Sequence, residues 1–194
     1  MALASAAELP SPRQPGAPYR VCLVCLGNIC RSPMAETVLR AELAAAGLDG
    51  AVVVDSAGTG DWHVGDSMDP DARAALASRG HDGSAHRARQ FQASWLPRRD
   101  LILAMDARNL ADLRRMARGQ GPGGQGTSGR DDERIRLFGE VGGLAGAGGG
   151  DGGDIPDPWG GDADEFGYVL DLLRTAAPVI AGRLARLLEP RGAR

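Results

Sequence analysis

Lysine is absent: all 22 basic residues of the 194-residue chain are arginine. We read this as codon bias, not as function. Cysteine is nearly absent too. Cys22, Cys25 and Cys30 fall within nine residues and none follows, which excludes a disulfide framework and makes the cytoplasm the default location. No apolar run approaches the roughly 20 residues of a membrane-spanning helix. Neither charge sign is in large excess, at 22 basic against 25 acidic residues. Nothing global therefore points to a nucleic acid or a membrane surface as partner. Met1 to Pro18, rich in Ala, Pro and Ser, lacks a basic stretch followed by a continuous apolar one. It does not read as a signal peptide, and a disordered lead-in over residues 1–18 is expected. The remainder, 19–190, has the length and the 43% hydrophobic content of one globular domain.

The order of elements is legible from punctuation. Arg20 to Cys25 is a short apolar run and reads as a buried strand. Ser32-Pro33 supplies an N-cap residue and a proline at the first helical position; the helix presents Ala35, Val38, Leu39 and Leu43 on one face and stops at Gly47. Ala51 to Asp55 is a second strand. Asp69-Pro70 opens a helix that Gly80 closes. Asp100 to Ala104 reads as a third strand, Asp106 to Arg118 as a helix, and Ile135 to Phe138 as a short fourth strand. From Asp162 an apolar-periodic segment runs to Leu188, with a kink or break expected at Pro178. Strands alternating with helices predict an α/β fold whose parallel sheet is covered on both faces, with ligands beyond the carboxyl ends of the strands. Two stretches, 119–130 and 139–153, hold the 15 glycines found between Gly119 and Gly153. They are expected to be mobile insertions, because they offer little apolar surface to offset the entropy of ordering them. They are not phosphate loops, since no helix follows the glycines directly.

The chemistry concentrates in Cys25-Leu26-Gly27-Asn28-Ile29-Cys30-Arg31-Ser32-Pro33. A strand, a tight loop and a helix start follow one another there. A phosphate dianion needs several inward-facing donors, and a loop entering a helix N-terminus supplies backbone N–H groups and the positive end of the dipole. Gly27 permits close backbone approach, and Asn28 tolerates a left-handed conformation. Arg31 can hold two phosphate oxygens. The same positive field favours the nucleophilic thiolate of Cys25, and the Ser32 hydroxyl can donate to that sulfur. Residues 26–31 are thus the candidate phosphate cradle and Cys25 the candidate nucleophile. Cys22 and Cys25 also form a Cys-x-x-Cys pair. Within a strand, residues three apart face opposite ways, and no second ligand pair exists, so Cys22 is expected in the core.

This segment resembles the active-site signature of the low-molecular-weight protein tyrosine phosphatases. The likeness extends, in family order, through Asp55-Ser-Ala-Gly-Thr59, Asp61-Trp-His-Val-Gly65, Met68-Asp-Pro70, His86-Arg-Ala-Arg-Gln90, Met105-Asp106 and Asp157-Pro-Trp159. The resemblance implies a four-stranded parallel sheet flanked by helices, no metal or other cofactor, and a phosphocysteine intermediate. It implies Cys25 as nucleophile, Arg31 as phosphate-binding arginine and Asp157 as general acid and base. Asn28, Ser32, Ser56 and His86 would hold the loop in shape, and Trp62 and Trp159 would wall the substrate cleft. Phosphotyrosine-containing proteins are the implied substrates, inorganic phosphate the product, and a monomer the expected state. Where most relatives carry two aromatics after the Asp-Pro pair, this chain has Trp159 and Gly160, and the glycine-rich insertions exceed the usual family length.

Three other readings meet obstacles in the same residues. A thiol-coupled arsenate reductase on this fold needs resolving cysteines downstream, and none follows Cys30. A protein arginine phosphatase carries a small Thr where Ile29 stands. A catalytically dead phosphate-binding module would lack Cys, Arg or Asp, and all three are present. Cys30, in the same compact loop as Cys25, is expected to form a reversible disulfide with it under oxidation.

Overall fold

The computed structural model describes residues 8–120, 129–144 and 152–189. Strand β1 (Tyr19–Cys25) leads into α1 (Arg31–Ala45), β2 (Val52–Gly58) and α2 (Pro70–Ser78). A 3-10 turn (Ala93–Arg98) precedes β3 (Leu101–Ala104) and α3 (Ala107–Ala117). A second 3-10 turn (Gly129–Arg134) precedes β4 (Ile135–Leu137), the short α4 (Phe138–Val141) and the long α5 (Ala163–Leu188). The four strands form one parallel sheet in the order β2-β1-β3-β4.

Side-chain alternation in β1 builds two cores. Val21, Leu23 and Cys25 face a cluster shared with α1, α2 and α5, whereas Cys22 and Val24 face Phe91, Leu96 and Leu113 on the other side. The two members of the Cys-x-x-Cys pair therefore lie on opposite faces, as the strand period requires. With both faces covered, β1 is buried at every position except Arg20.

The structure departs from the sequence expectations in five places. First, part of the lead-in, from Leu9 to Arg13, is anchored on the domain. Leu9 joins the main core, Tyr19 Oη donates to Pro10 O, and Arg13 donates to Arg99 O and pairs with Asp131. Composition carried no sign of these three anchors. Second, α1 starts at Arg31 with Cys30 at its N-cap and no side-chain cap, so Ser32 does not cap it. The Ser32 hydroxyl is spent beside Cys25 instead. Third, β2 continues past Asp55 to Gly58. Fourth, of the kink or break expected at Pro178 there is no break: α5 runs through it. The lost hydrogen bond and ring clash cost about 3 kcal/mol. Nine residues of this helix are buried, Phe166, Leu170, Leu173, Ile180 and Leu184 among them, and each large apolar side chain contributes about 1.5–3 kcal/mol. Packing outweighs the proline. Fifth, the ends of the second glycine-rich stretch are fixed. Gly139 lies within α4, and a Cβ there would come 2.3 Å from Gly153 O. Those two glycines permit backbone-to-backbone contact; they do not loosen the chain. The centres of both stretches, 121–128 and 145–151, lie outside the described residues.

Among the described residues no helix is long and apolar enough to cross a membrane.

Candidate active site

The site lies beyond the carboxyl ends of the strands, where β1 passes into α1. Its centre is Cys25 Sγ, 3.0 Å from Ser32 Oγ and accepting from Asn28 N at 3.2 Å. The loop from Leu26 to Cys30 wraps this sulfur, and the uncapped N-terminus of α1 points at the same space. Its orphan amides and dipole make that space attractive to an anion.

Asn28 is the hub that shapes the loop. It has φ 57°, the one positive value outside glycine among the described residues, and it is fully buried. Its Nδ2 donates to Ser32 Oγ and Ser56 Oγ, each at 2.9 Å. Its Oδ1 accepts from Arg89 N at 2.9 Å, and its carbonyl lies 2.7 Å from His86 Nε2. Ser56 Oγ in turn donates to Glu36 at 2.5 Å. Burial pushes the His86 pKa down, against the Asn28 contact, which favours the charged form. The ring is thus the neutral Nε2–H tautomer, donating to Asn28 O.

Arg31 is 3% exposed and held from two sides. Nη1 donates to Asp106 Oδ2 at 2.6 Å and to Ile155 O at 3.2 Å, and Nη2 donates to Asp157 Oδ2 at 2.5 Å. Burial opposes its charge. Cys25, Asp157 and Asp106 outweigh that and hold its pKa above the ordinary arginine value. Cys30 is buried, and desolvation, with the charges of Asp69, Cys25 and Asp157, drives its pKa far up, so it remains a thiol.

A pocket of about 180 Å³ opens over the loop, lined by Cys25, Leu26, Gly27, Ile29, Cys30, Arg31, Trp62, His63, Asp157 and Trp159. Trp62 and Trp159 are 62% and 67% exposed and stand at its rim. Gly27 lies under the His63 ring, and a Cβ there would come 3.0 Å from His63 Cδ2.

A family model, described as low molecular weight phosphotyrosine protein phosphatase, matches residues 20–189. The chain belongs to this family. The phosphatase is 44% identical over 175 residues to a low molecular weight protein-tyrosine-phosphatase of Streptomyces coelicolor, covering 90% of this chain and 99% of that one. Among solved structures, YfkJ from Bacillus subtilis matches with TM-score 0.73 and 32% identity, covering 91% of this chain and 100% of the other. A protein tyrosine phosphatase from Entamoeba histolytica, with Hepes in its active site, matches with TM-score 0.74 and 27% identity over 87% and 97%.

The structure of this hydrolase brings the sequence-selected residues together in two layers. Cys25, Leu26, Gly27, Ile29, Cys30, Arg31, Asp157, Trp62 and Trp159 line the pocket. Asn28, Ser32 and Ser56 form the buried support behind it, joined by the half-buried His86. Sequence reasoning assigned Asp106, Glu36, Arg89 and His63 no individual role, although three of them stand inside the family motifs. Asp106 carried a signal, an acid at the start of α3 just past β3. Its Oδ1 does cap Asn109 N at 2.7 Å, but only the fold brings its second oxygen to Arg31. Asp154, on the same loop as Asp157, accepts from Ala107 N at 3.0 Å at the surface.

Proposed function

We propose that the enzyme hydrolyses phosphotyrosine in proteins through a phosphocysteine formed on Cys25, with Asp157 as general acid and then general base. The observation that carries this reading is the arrangement of Cys25 Sγ, Arg31 and Asp157 around one pocket at a helix N-terminus. In the free enzyme Asp157 occupies Nη2 of Arg31. An incoming phosphoryl dianion takes over that guanidinium edge bidentately and frees Asp157 to face the leaving oxygen. The Cys25 thiolate attacks phosphorus in line, the P–O bond to tyrosine breaks, and Asp157 gives its proton to the departing phenolate. Asp157 then takes a proton from water as that water attacks phosphorus. The P–S bond breaks, and inorganic phosphate leaves. The amides of residues 26–31 and Arg31 carry the oxyanion charge throughout. The Ser32 hydroxyl stabilises the sulfur as it departs in the second step.

The rim supports an aromatic substrate. Trp62 and Trp159 offer flat apolar faces to a phenyl ring, and Ile29 narrows the pocket between them. Ile29 crowds a branched guanidinium, and a phosphoserine is too short to use the walls. We place the enzyme in the cytoplasm as a monomer; three free cysteines fit a reducing compartment.

The test is a comparison of kcat/KM for peptides carrying phosphotyrosine, phosphoserine or phosphoarginine, without added metal. Phosphotyrosine should lead. Equal or faster turnover of phosphoarginine overturns the substrate assignment. Cys25→Ser and Arg31→Ala should each lose several orders of magnitude while remaining folded. Either variant above about a tenth of wild-type turnover contradicts the roles of Cys25 as nucleophile and Arg31 as phosphate clamp.

A further inference from the structure

We propose that Trp95 is a positioning residue for the catalytic loop, acting through two arginines without touching the substrate; the inference rests on Cys25 being the nucleophile. Trp95 lies in the 3-10 turn before β3 and does not line the pocket. Its ring carries two guanidinium groups. Arg89 Cζ lies 5.4 Å from the ring centroid and Arg99 Cζ 5.1 Å. Both also converge on Asp55. Arg89 Nη2 is 3.4 Å from Oδ2, Arg99 Nη2 pairs with the same oxygen, and Arg99 Nε donates to Oδ1 at 3.2 Å. Phe91 fixes the indole from its edge, with centroids 5.7 Å apart. Two like charges this close are tolerable because one carboxylate and one aromatic face neutralise them together.

The consequence falls on residue 89. Its Nε donates to Ser56 O at 3.0 Å, which locks the side chain to β2. Its main chain is then held in place. Arg89 N donates to Asn28 Oδ1 at 2.9 Å, and Arg89 O accepts from Gly58 N at 2.8 Å. Residues 86–89 have no regular secondary structure; a single bridge between Gly58 and Gln90 ties them to the sheet edge. Yet this segment supplies two of the ties on Asn28, from His86 and from Arg89. Asparagine tolerates φ 57°, and these ties select that conformation at Asn28, whose N–H donates to Cys25 Sγ. The path from indole to sulfur is therefore continuous: Trp95, Arg89, Asn28, Cys25.

The experiment compares Trp95→Leu, Trp95→Tyr and wild type on an aryl phosphate, with the rate of Cys25 alkylation by iodoacetate followed across pH. Trp95→Leu should lower kcat about tenfold with KM moving less than about twofold, and should slow alkylation. Trp95→Tyr keeps a ring face for the cations and should restore at least about half of kcat. If Trp95→Leu does not fold, Arg89→Ala, on a half-exposed side chain, must give the same kinetic pattern. A folded variant with lowered melting temperature but kcat and alkylation within about twofold of wild type overturns the proposal. Cys25→Ser, assayed alongside, separates the two ideas: turnover retained there sinks the nucleophile reading, while full activity without the brace sinks the brace alone.

Discussion

Asn28 offers the sharpest test of how the loop is held, because two truncations there should differ in a direction opposite to the usual one. Both Asn28→Gly and Asn28→Ala remove three 2.9 Å hydrogen bonds. The two serine hydroxyls keep other partners, Ser32 with Ala57 O and Cys25, Ser56 with Glu36. Each of those losses costs about 1 kcal/mol, while the part-buried Arg89 N–H is left without its Asn28 partner at about 1–3 kcal/mol. The sum is about 3–5 kcal/mol, or roughly 6–20 °C in melting temperature for a domain of this size. Alanine at φ 57° adds a left-handed penalty of about 1–2 kcal/mol. Glycine escapes it but surrenders about 0.5–1 kcal/mol of extra chain entropy. The left-handed penalty exceeds the entropy cost by up to about 1.5 kcal/mol, so Asn28→Ala should melt below Asn28→Gly, by up to about 6 °C. Calorimetry or circular dichroism melts on the purified variants decide it. If Asn28→Ala melts at or above Asn28→Gly, or if both lie within about 3 °C of wild type, Asn28 is not the hub of the loop.

Asp157→Asn should cut kcat strongly for phosphotyrosine and less for an activated aryl phosphate, since general acid catalysis contributes about 10²–10⁴-fold and matters most for a poor leaving group; Asp154→Asn, whose amide oxygen can still accept from Ala107 N, should stay within a few-fold, and a reversal of the two would show that the wrong carboxylate was assigned the proton. Mild peroxide should convert Cys25 to a sulfenic acid; the Cys30 sulfur, giving up its proton, then attacks the Cys25 sulfur and displaces hydroxide, so that water leaves and a Cys25–Cys30 disulfide visible by peptide mapping forms. Recovery of Cys30→Ser by reductant as complete as that of wild type would falsify that protective role. Burial holds the folded His86 below its ordinary value, so the unfolded chain takes up the proton first. Stability should be full above about pH 6.5 and fall as the pH drops through 6.5 toward the lower folded value. Urea midpoints at pH 7.5 and 5.5 should differ less in His86→Gln than in wild type, and an equal difference would assign the acid sensitivity elsewhere.

Features that depend on near neighbours in the chain were legible in the sequence. The Cys25–Arg31 loop, the face of α1 carrying Val38, Leu39 and Leu43, and the Asp69-Pro70 helix start, where Asp69 accepts from Asp71 N and Ala72 N, all follow from residues a few positions apart. The period of β1 placed Cys22 and Cys25 on opposite faces in the same way. The rest waited on the fold, because it depends on groups separated by tens of residues. Asp106 reaches Arg31 from 75 positions away and Asp157 from 126. Arg13 is tied to Asp131 across 118 positions, which anchors the start of the described chain to the domain in spite of its composition. Pro178 stays helical because the buried face of α5 outweighs one missing hydrogen bond. Ser32 leaves the helix cap, as a hydroxyl has more to gain beside Cys25, Asn28 and Ala57 O in a buried site than at an end open to an anion. Local sequence sets which conformations are cheap; only packing brings distant charges within hydrogen-bond distance, and in this phosphatase the support of the catalytic loop is made of such distant pairs.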